Sequence, residues 1–508
     1  MKHYLKSLGI AVAFTGLAAS AFAGERSTAR HMENIKDNGP ELRLFLQDMP
    51  KGGDLHNHLT GAIYAENYIR WAAEDGTCAN LVDPRLIWKG KDADCQAEGL
   101  ARAADIIADA ETQRQFINKM SMRAFVPSAG WPGYDHFFDT FPRMNWQPHR
   151  LGDMLAEVAE RADGQNLVYL ELMETFLTDD LVALIPKVGL RPDMTAADVE
   201  QLHADLLAAG FADALEKAVG EVKERMKAAT ARKREVLGCE VNEDAMGCDV
   251  VIRFQQQVIR TLDPVVSYLM FGLGYHLVED DANFVGMNLV APEHDPRALK
   301  YYDLHMRMMQ FLREKHGAIN IALHAGELEL GLVDTVHLKD HIRKAIDVAG
   351  ATRIGHGIDI AYENDAEQLM AHMRDNEIMV EINLTSNDSI LGIKGDDHPV
   401  ALYRSRGVPV ALSTDDEGVS RNDITYEYMR GVREQGFDYG DLKHMSRNAL
   451  KHSFLQGARL SLNENCQKDM KRDQGPGENC AIFLANNPKA KAQWDLEKRF
   501  KTFEAKYD

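Results

Sequence analysis

The chain has 508 residues, 45% of them hydrophobic, and a formal charge of −20. That length holds one large barrel with insertions or two to three ordinary domains. So acidic a surface repels nucleic acid and anionic lipid and leaves a neutral small molecule free to approach, and beyond the N-terminus no apolar run is long enough to span a bilayer.

In chain order, Lys2 and Lys6 precede an apolar stretch from Leu8 to Ala19, followed by Ala21-Phe22-Ala23. A charged segment, a short apolar segment and an A-x-A cleavage site read as a secretory signal over residues 1–23. The mature chain, 24–508, is then expected in the periplasm or secreted, with no membrane association. Cleavage removes two positive charges and no acid, taking −20 to −22. The six cysteines fall as near neighbours, Cys78 and Cys95, Cys239 and Cys248, Cys466 and Cys480. In an exported chain this spacing predicts three local disulfides, the most economical of the 15 pairings.

Residues 31–48 carry apolar positions at helical spacing and are expected as a helix leading into the first strand. Eight candidate strands follow: Gly53–Leu59, Leu167–Met173, Val265–Phe271, Phe284–Val290, Ile319–His324, Arg353–His356, Ile378–Leu384 and Val408–Ser413. Short apolar runs separated by helical stretches read as a buried parallel sheet, and eight such units favour an α/β fold closed as a (β/α)₈ TIM barrel. The barrel is expected over about 50–460, as one domain with long helical insertions at about 78–160 and 176–264 and with N- and C-terminal extensions.

Four motifs end candidate strands: Leu55-His56-Asn57-His58-Leu59, Leu323-His324-Ala325-Gly326-Glu327, Ile354-Gly355-His356-Gly357 and Ser413-Thr414-Asp415-Asp416. His56 and His58, two apart on a strand, leave the same face and can bite one metal at a barrel mouth. Singly, each motif has an ordinary reading: a chance histidine pair, a satisfied core histidine, turn glycines, an exposed helix N-cap pair. Together they offer imidazoles and a carboxylate with acid and base groups beside them, as a hydrolytic Zn²⁺ centre requires. The H-E-x-x-H, G-x-S-x-G, Walker A and G-x-G-x-x-G signatures are absent, as is the H-x-E with P-C-x-x-C of cytidine-type deaminases.

The run from Met49 to Gly61, together with His324-Ala325-Gly326-Glu327, Gly355-His356-Gly357 and Ser413-Thr414-Asp415-Asp416, resembles the adenosine/AMP deaminase family of metal-dependent hydrolases. The export signal and cysteines resemble its exported, growth-factor-like branch. The resemblance implies one Zn²⁺ per chain, held by His56, His58, His324 and Asp415. It implies that Glu327 protonates the purine ring, that His356 orients the attacking hydroxide, and that Asp416 and Gly286 grip the base, with His58 and Thr60 beside the substrate. Many family members carry Asp where this chain has Thr60, so the sugar contact is expected to be looser. The expected reaction is hydrolytic deamination of adenosine and 2'-deoxyadenosine to inosine and ammonia. Another 6-aminopurine, or another hydrolysis on the same barrel, stays open as the alternative.

Overall fold

Eight parallel strands ring the centre of the molecule: β1 (Gly52–His58), β2 (Leu167–Glu174), β3 (Val251–Ile259), β4 (Phe284–Val290), β5 (Ala322–Ala325), β6 (Arg353–His356), β7 (Met379–Ile382) and β8 (Val410–Leu412). The computed structural model describes residues 16–88, 94–472 and 475–508, with side chains from Gly24 onward. Most of the expected signal, residues 1–15, lies outside the described residues.

The ladders run β1–β2–β3–β4 and β5–β6–β7–β8. Two parallel seams close the ring, Met287 to Ile321 and Asn57 to Asp415. At the second seam the Asp415 N–H donates to the His56 carbonyl at 2.9 Å, and the His58 N–H donates to the Asp415 carbonyl at 3.0 Å. Closing the barrel therefore brings three of the expected site residues together through the backbone, whatever their side chains do.

The barrel differs from expectation at its third strand. Val265–Phe271 lies in the helix Pro264–Asp280, which begins with Pro264 in its first turn and Asp263 as N-cap, its carboxylate accepting from the Val265 N–H at 2.9 Å. That helix is apolar all round because it is buried on nearly every side. The actual strand, Val251–Ile259, contains Gln255-Gln256-Gln257, polar residues that hide its strand character. Gln255 and Gln256 are fully buried, and the Gln255 side-chain amide donates to the Leu55 carbonyl and to Glu171. The expected helix over 31–48 is two helices, Gly16–Ile35 and Gly39–Asp48. Pro40 opens the second and could not sit inside a continuous one.

Arg353 crosses the barrel interior with no exposure. Its guanidinium donates to Glu171 at 2.7 Å and to Glu381 at 2.6 Å, and it stacks 3.8 Å from the Phe454 ring centroid. A buried guanidinium costs several kcal/mol of desolvation and persists only where such partners meet it. The stretch between β1 and β2 adds a small antiparallel sheet (Cys78–Asn80, Arg85–Ile87, Leu100–Arg102) and the helix Gly133–Thr140; that between β2 and β3 adds the long helix Phe211–Leu237. The expected disulfides Cys78–Cys95, Cys239–Cys248 and Cys466–Cys480 are all present. The last staples a small C-terminal core with Leu484, Ala490 and Trp494. Among the described residues no helix is long and apolar enough to cross a membrane.

Candidate active site

The C-terminal strand ends converge on one buried cluster. His56, His58, His324 and Asp415 each offer a ligand atom within 4.8 Å of the others. Asp415 Oδ1 lies 3.3 Å from His56 Nε2 and 3.2 Å from His58 Nε2, and the His58 and His324 Nε2 atoms are 3.1 Å apart.

Hydrogen bonds on the far side of each ring settle the tautomers. His56 Nδ1 donates to Glu381 at 2.7 Å, His58 Nδ1 to Gln257 Oε1 at 2.7 Å, and His324 Nδ1 to Asn288 Oδ1 at 2.9 Å. Asn288 Oδ1 also accepts the backbone N–H groups of Leu289 and His324, so its amide orientation is fixed. With the proton on Nδ1, all three Nε2 lone pairs point at one another and at a carboxylate, and His56 Nε2 is buried without a hydrogen-bond partner. Lone pairs at these separations repel unless a cation lies between them. Burial opposes a charge on His56, yet Asp415 and Glu381 draw its pKa up to about 10. Burial and the neighbouring imidazoles push His324 well below the usual range. Protons cannot satisfy both rings; one divalent ion satisfies the whole set, with Glu381, Gln257 and Asn288 as the outer partners that metal-bound histidines require.

Beside the cluster stand the three groups expected to act on substrate. Glu327 is buried, its Oε1 3.6 Å from His356 Nε2, and burial next to Asp415 and Glu293 raises its pKa well above the usual carboxyl range. That environment favours its neutral, proton-bearing form. Its turn is held by Glu293, whose carboxylate accepts the N–H groups of Gly326 and Glu327 at 3.3 and 2.9 Å and pairs with His341 at 2.6 Å. Burial pushes His356 down to about 3, so it is neutral. A relay fixes its tautomer. The Val400 N–H donates to His398 Nδ1, His398 Nε2 donates to Asn387 Oδ1, and Asn387 Nδ2 donates to His356 Nδ1 at 2.9 Å. The His356 proton therefore sits on Nε2, facing Glu327 and Asp415. Burial and the adjacent Asp415 raise Asp416, whose buried Oδ1 has no protein partner. His356 and Asp415 hold positive φ angles of 69° and 62°, a strained conformation for residues with a Cβ.

These groups open into a cavity of about 320 Å³. Its apolar wall includes Phe137, Phe138 and Phe141 from the first insertion, with Val290, Ile259 and Ile390. No lysine or arginine lines it among the described residues. Two expected substrate contacts lie elsewhere. Gly286 is the third residue of β4 and faces Phe454 at the other end of the barrel, where an added Cβ would come within 2.7 Å of that ring. The lining residues from this segment are Val290, Ala291 and Pro292, and Ala291 takes φ 80°. Thr60 is outside the cavity lining as well; its hydroxyl donates to Glu174 at 3.0 Å. The sequence reading missed Gln257, Asn288 and Glu381, single polar residues inside buried strands, and Asn387 and His398, in a helix and a loop, because none of them carries a local signal. It also missed Gly61, where an added Cβ would lie 1.6 Å from Asp416 Oδ1. Gly61→Ala is expected to displace that carboxyl and leave the metal ligands in place. Losing one hydrogen bond to a charged or ionisable group costs about 1.5–3 kcal/mol, roughly a 10- to 150-fold drop in kcat/KM. Steady-state kinetics with metal content measured alongside checks this, and an unchanged kcat/KM would remove Asp416 from substrate recognition.

An adenosine deaminase family model matches residues 276–466. The adenosine deaminase of Clostridium perfringens (strain 13 / Type A) is 29% identical over 182 residues, 35% of this chain and 51% of that protein. That of Shewanella loihica is 32% identical over 146 residues, 28% of this chain and 41% of that protein. The chain thus spans about half or less of the length of these curated relatives. Among solved structures, an Arabidopsis N6-mAMP deaminase superposes with a TM-score of 0.51 at 18% identity, covering 84% of this chain and 98% of that one. Arabidopsis ADAL complexed with GMP gives 0.51 at 20% identity, covering 87% and 99%. These two likenesses show the barrel fold alone. The similarity to the adenosine deaminase family model thus covers the segment that carries His324, Glu327, His356, Asp415 and Asp416, within a barrel whose fold resembles those two solved structures.

Proposed function

We propose that the chain catalyses Zn²⁺-dependent hydrolytic deamination of a 6-aminopurine nucleoside, adenosine or 2'-deoxyadenosine, giving the 6-oxo product and ammonia. The observation that carries this reading is the buried Glu327, its pKa raised by burial, beside a four-ligand cluster in a cavity with an apolar wall. His56, His58, His324 and Asp415 would hold one Zn²⁺, which in such sites brings the pKa of water down to about 7 and so makes hydroxide available at neutral pH. Glu327 gives its proton to the ring nitrogen next to the attacked carbon, making that carbon electrophilic. His356, with its proton on Nε2, orients the oxygen nucleophile by hydrogen bonding. Asp416 bonds the opposite edge of the base, and the phenylalanine wall covers the ring and excludes water.

Among the described residues no cationic group lines the cavity, which favours an uncharged nucleoside over a nucleotide, since a phosphate there would be desolvated without a partner. The Arabidopsis neighbours, an N6-mAMP deaminase and ADAL solved with GMP, make phosphorylated purines the comparison to run. Ultraviolet assays with adenosine, deoxyadenosine, adenine, AMP and N6-methyl-AMP test the assignment. Adenosine and deoxyadenosine are expected within a few-fold of one another, with AMP lower by about 10²-fold or more, matching a phosphate left without its charged hydrogen bonds. Turnover of AMP or N6-methyl-AMP above adenosine, or of adenine alone, sinks the nucleoside reading.

We also propose that the protein works outside the reducing cytosol as an exported enzyme. The support is the three disulfides together with the charged, apolar and A-x-A pattern of residues 1–23. N-terminal sequencing of the natural protein should begin at Gly24.

A further inference from the structure

A second cavity is larger than the one at the candidate active site. It lies at the opposite end of the barrel, against Val408, Pro409 and Val410 at the start of β8 and under the C-terminal extension, with a volume of about 790 Å³. Five cations line it: Arg374, Arg404, Arg447, Lys451 and Arg459. Three carboxylates share the lining, leaving the void with an excess of two positive charges in a chain whose overall charge is −20. Each cation keeps donors unspent. Lys451 and Arg459 both pair with Glu377, Arg404 pairs with Asp441, Arg447 with Glu497, and Arg374 with Asp375 outside the lining.

Two titratable groups in the lining are biased in the same direction by these cations. His444, in the lining, is pushed below its usual pKa by burial and then by Arg447 and Lys451. Glu377, the acid that two cations share, is pulled down to about 2 by Lys451 and Arg459. Glu377 takes its left-handed φ of 54° as the residue that ends the helix Ala366–Asp375, where the Ile378 N–H closes on the Met373 carbonyl at 2.8 Å. Leu460, Met445 and Leu496 supply apolar surface alongside the charges. A void of this size fits a molecule well beyond a lone ion.

We propose that this cavity is a second binding site, for a small dianionic phosphate ester. Guanidinium groups match phosphate geometry with paired N–H donors, two negative charges neutralise the local excess, and the apolar wall takes the organic part. The site is separate from the strand ends that carry the metal cluster, so occupancy would act on the enzyme from the far end of the barrel.

Isothermal titration of the full-length, metal-loaded protein with ribose 5-phosphate, and separately with inorganic phosphate, tests this. Saturable binding of ribose 5-phosphate with a Kd below about 1 mM at low salt is expected, weakening as salt rises. Tighter binding of the sugar phosphate identifies an organic ester as the ligand, and equal binding of both identifies the phosphate group alone. The double variant Arg404→Ala/Arg459→Ala should weaken binding at least tenfold, with melting temperature and metal content unchanged. If that variant melts lower, Arg374→Glu, which gives up a guanidinium paired with its sequence neighbour Asp375, provides the same comparison. No saturable binding by either probe, or wild-type affinity in the variants, overturns the site.

Discussion

Glu327→Gln is expected to lose about 10²–10⁴-fold in kcat, with KM changing little and metal content near wild type. The substitution keeps the size of the side chain and the turn that Glu293 clamps through the backbone N–H groups of Gly326 and Glu327. What it removes is the proton. Burial beside Asp415 and Glu293 raises the Glu327 pKa and favours its proton-bearing form, and an amide in that position cannot transfer a proton to a ring nitrogen. The loss therefore appears in the chemical step and not in binding. A kcat near wild type would show that the acid lies elsewhere.

His324→Ala is expected to lose both metal and turnover. Its Nε2 is 3.1 Å from that of His58, and Asn288 holds it there by accepting from Nδ1. Without it, three donors remain, from His56, His58 and Asp415. Elemental analysis should fall from about one equivalent toward zero. Activity should drop by about 10³-fold or more, since water's pKa returns from about 7 toward 15.7. Melting temperature measured with and without chelator separates the effects: wild type should lose stability on chelation, and the variant should not respond, because binding free energy is also folding free energy. Two equivalents of metal in the wild type, or full activity after chelation, would refute the single-ion site.

The sequence itself identified the ligand-bearing motifs, the eight-unit α/β pattern and the near-neighbour cysteine pairs. Each is a local signal: two histidines at the period of a strand, apolar runs bounded by turns, cysteines close enough to form short loops. The third strand was not legible in this way. Gln255, Gln256 and Gln257 give it polar residues where a buried strand should be apolar, and the apolar run Val265–Phe271 belongs to the buried helix that follows. Only the tertiary structure decided which way each side chain faces. Gly286 and Thr60 sit in motifs beside the site, yet one faces Phe454 and the other bonds Glu174. Glu381, Asn288, Gln257 and the His398–Asn387 relay gain their roles from residues distant in the chain. Side-chain chemistry can be read along the sequence. Which imidazole nitrogen carries the proton, and whether a carboxyl is charged, depend on groups brought together by barrel closure, and that information exists only in three dimensions.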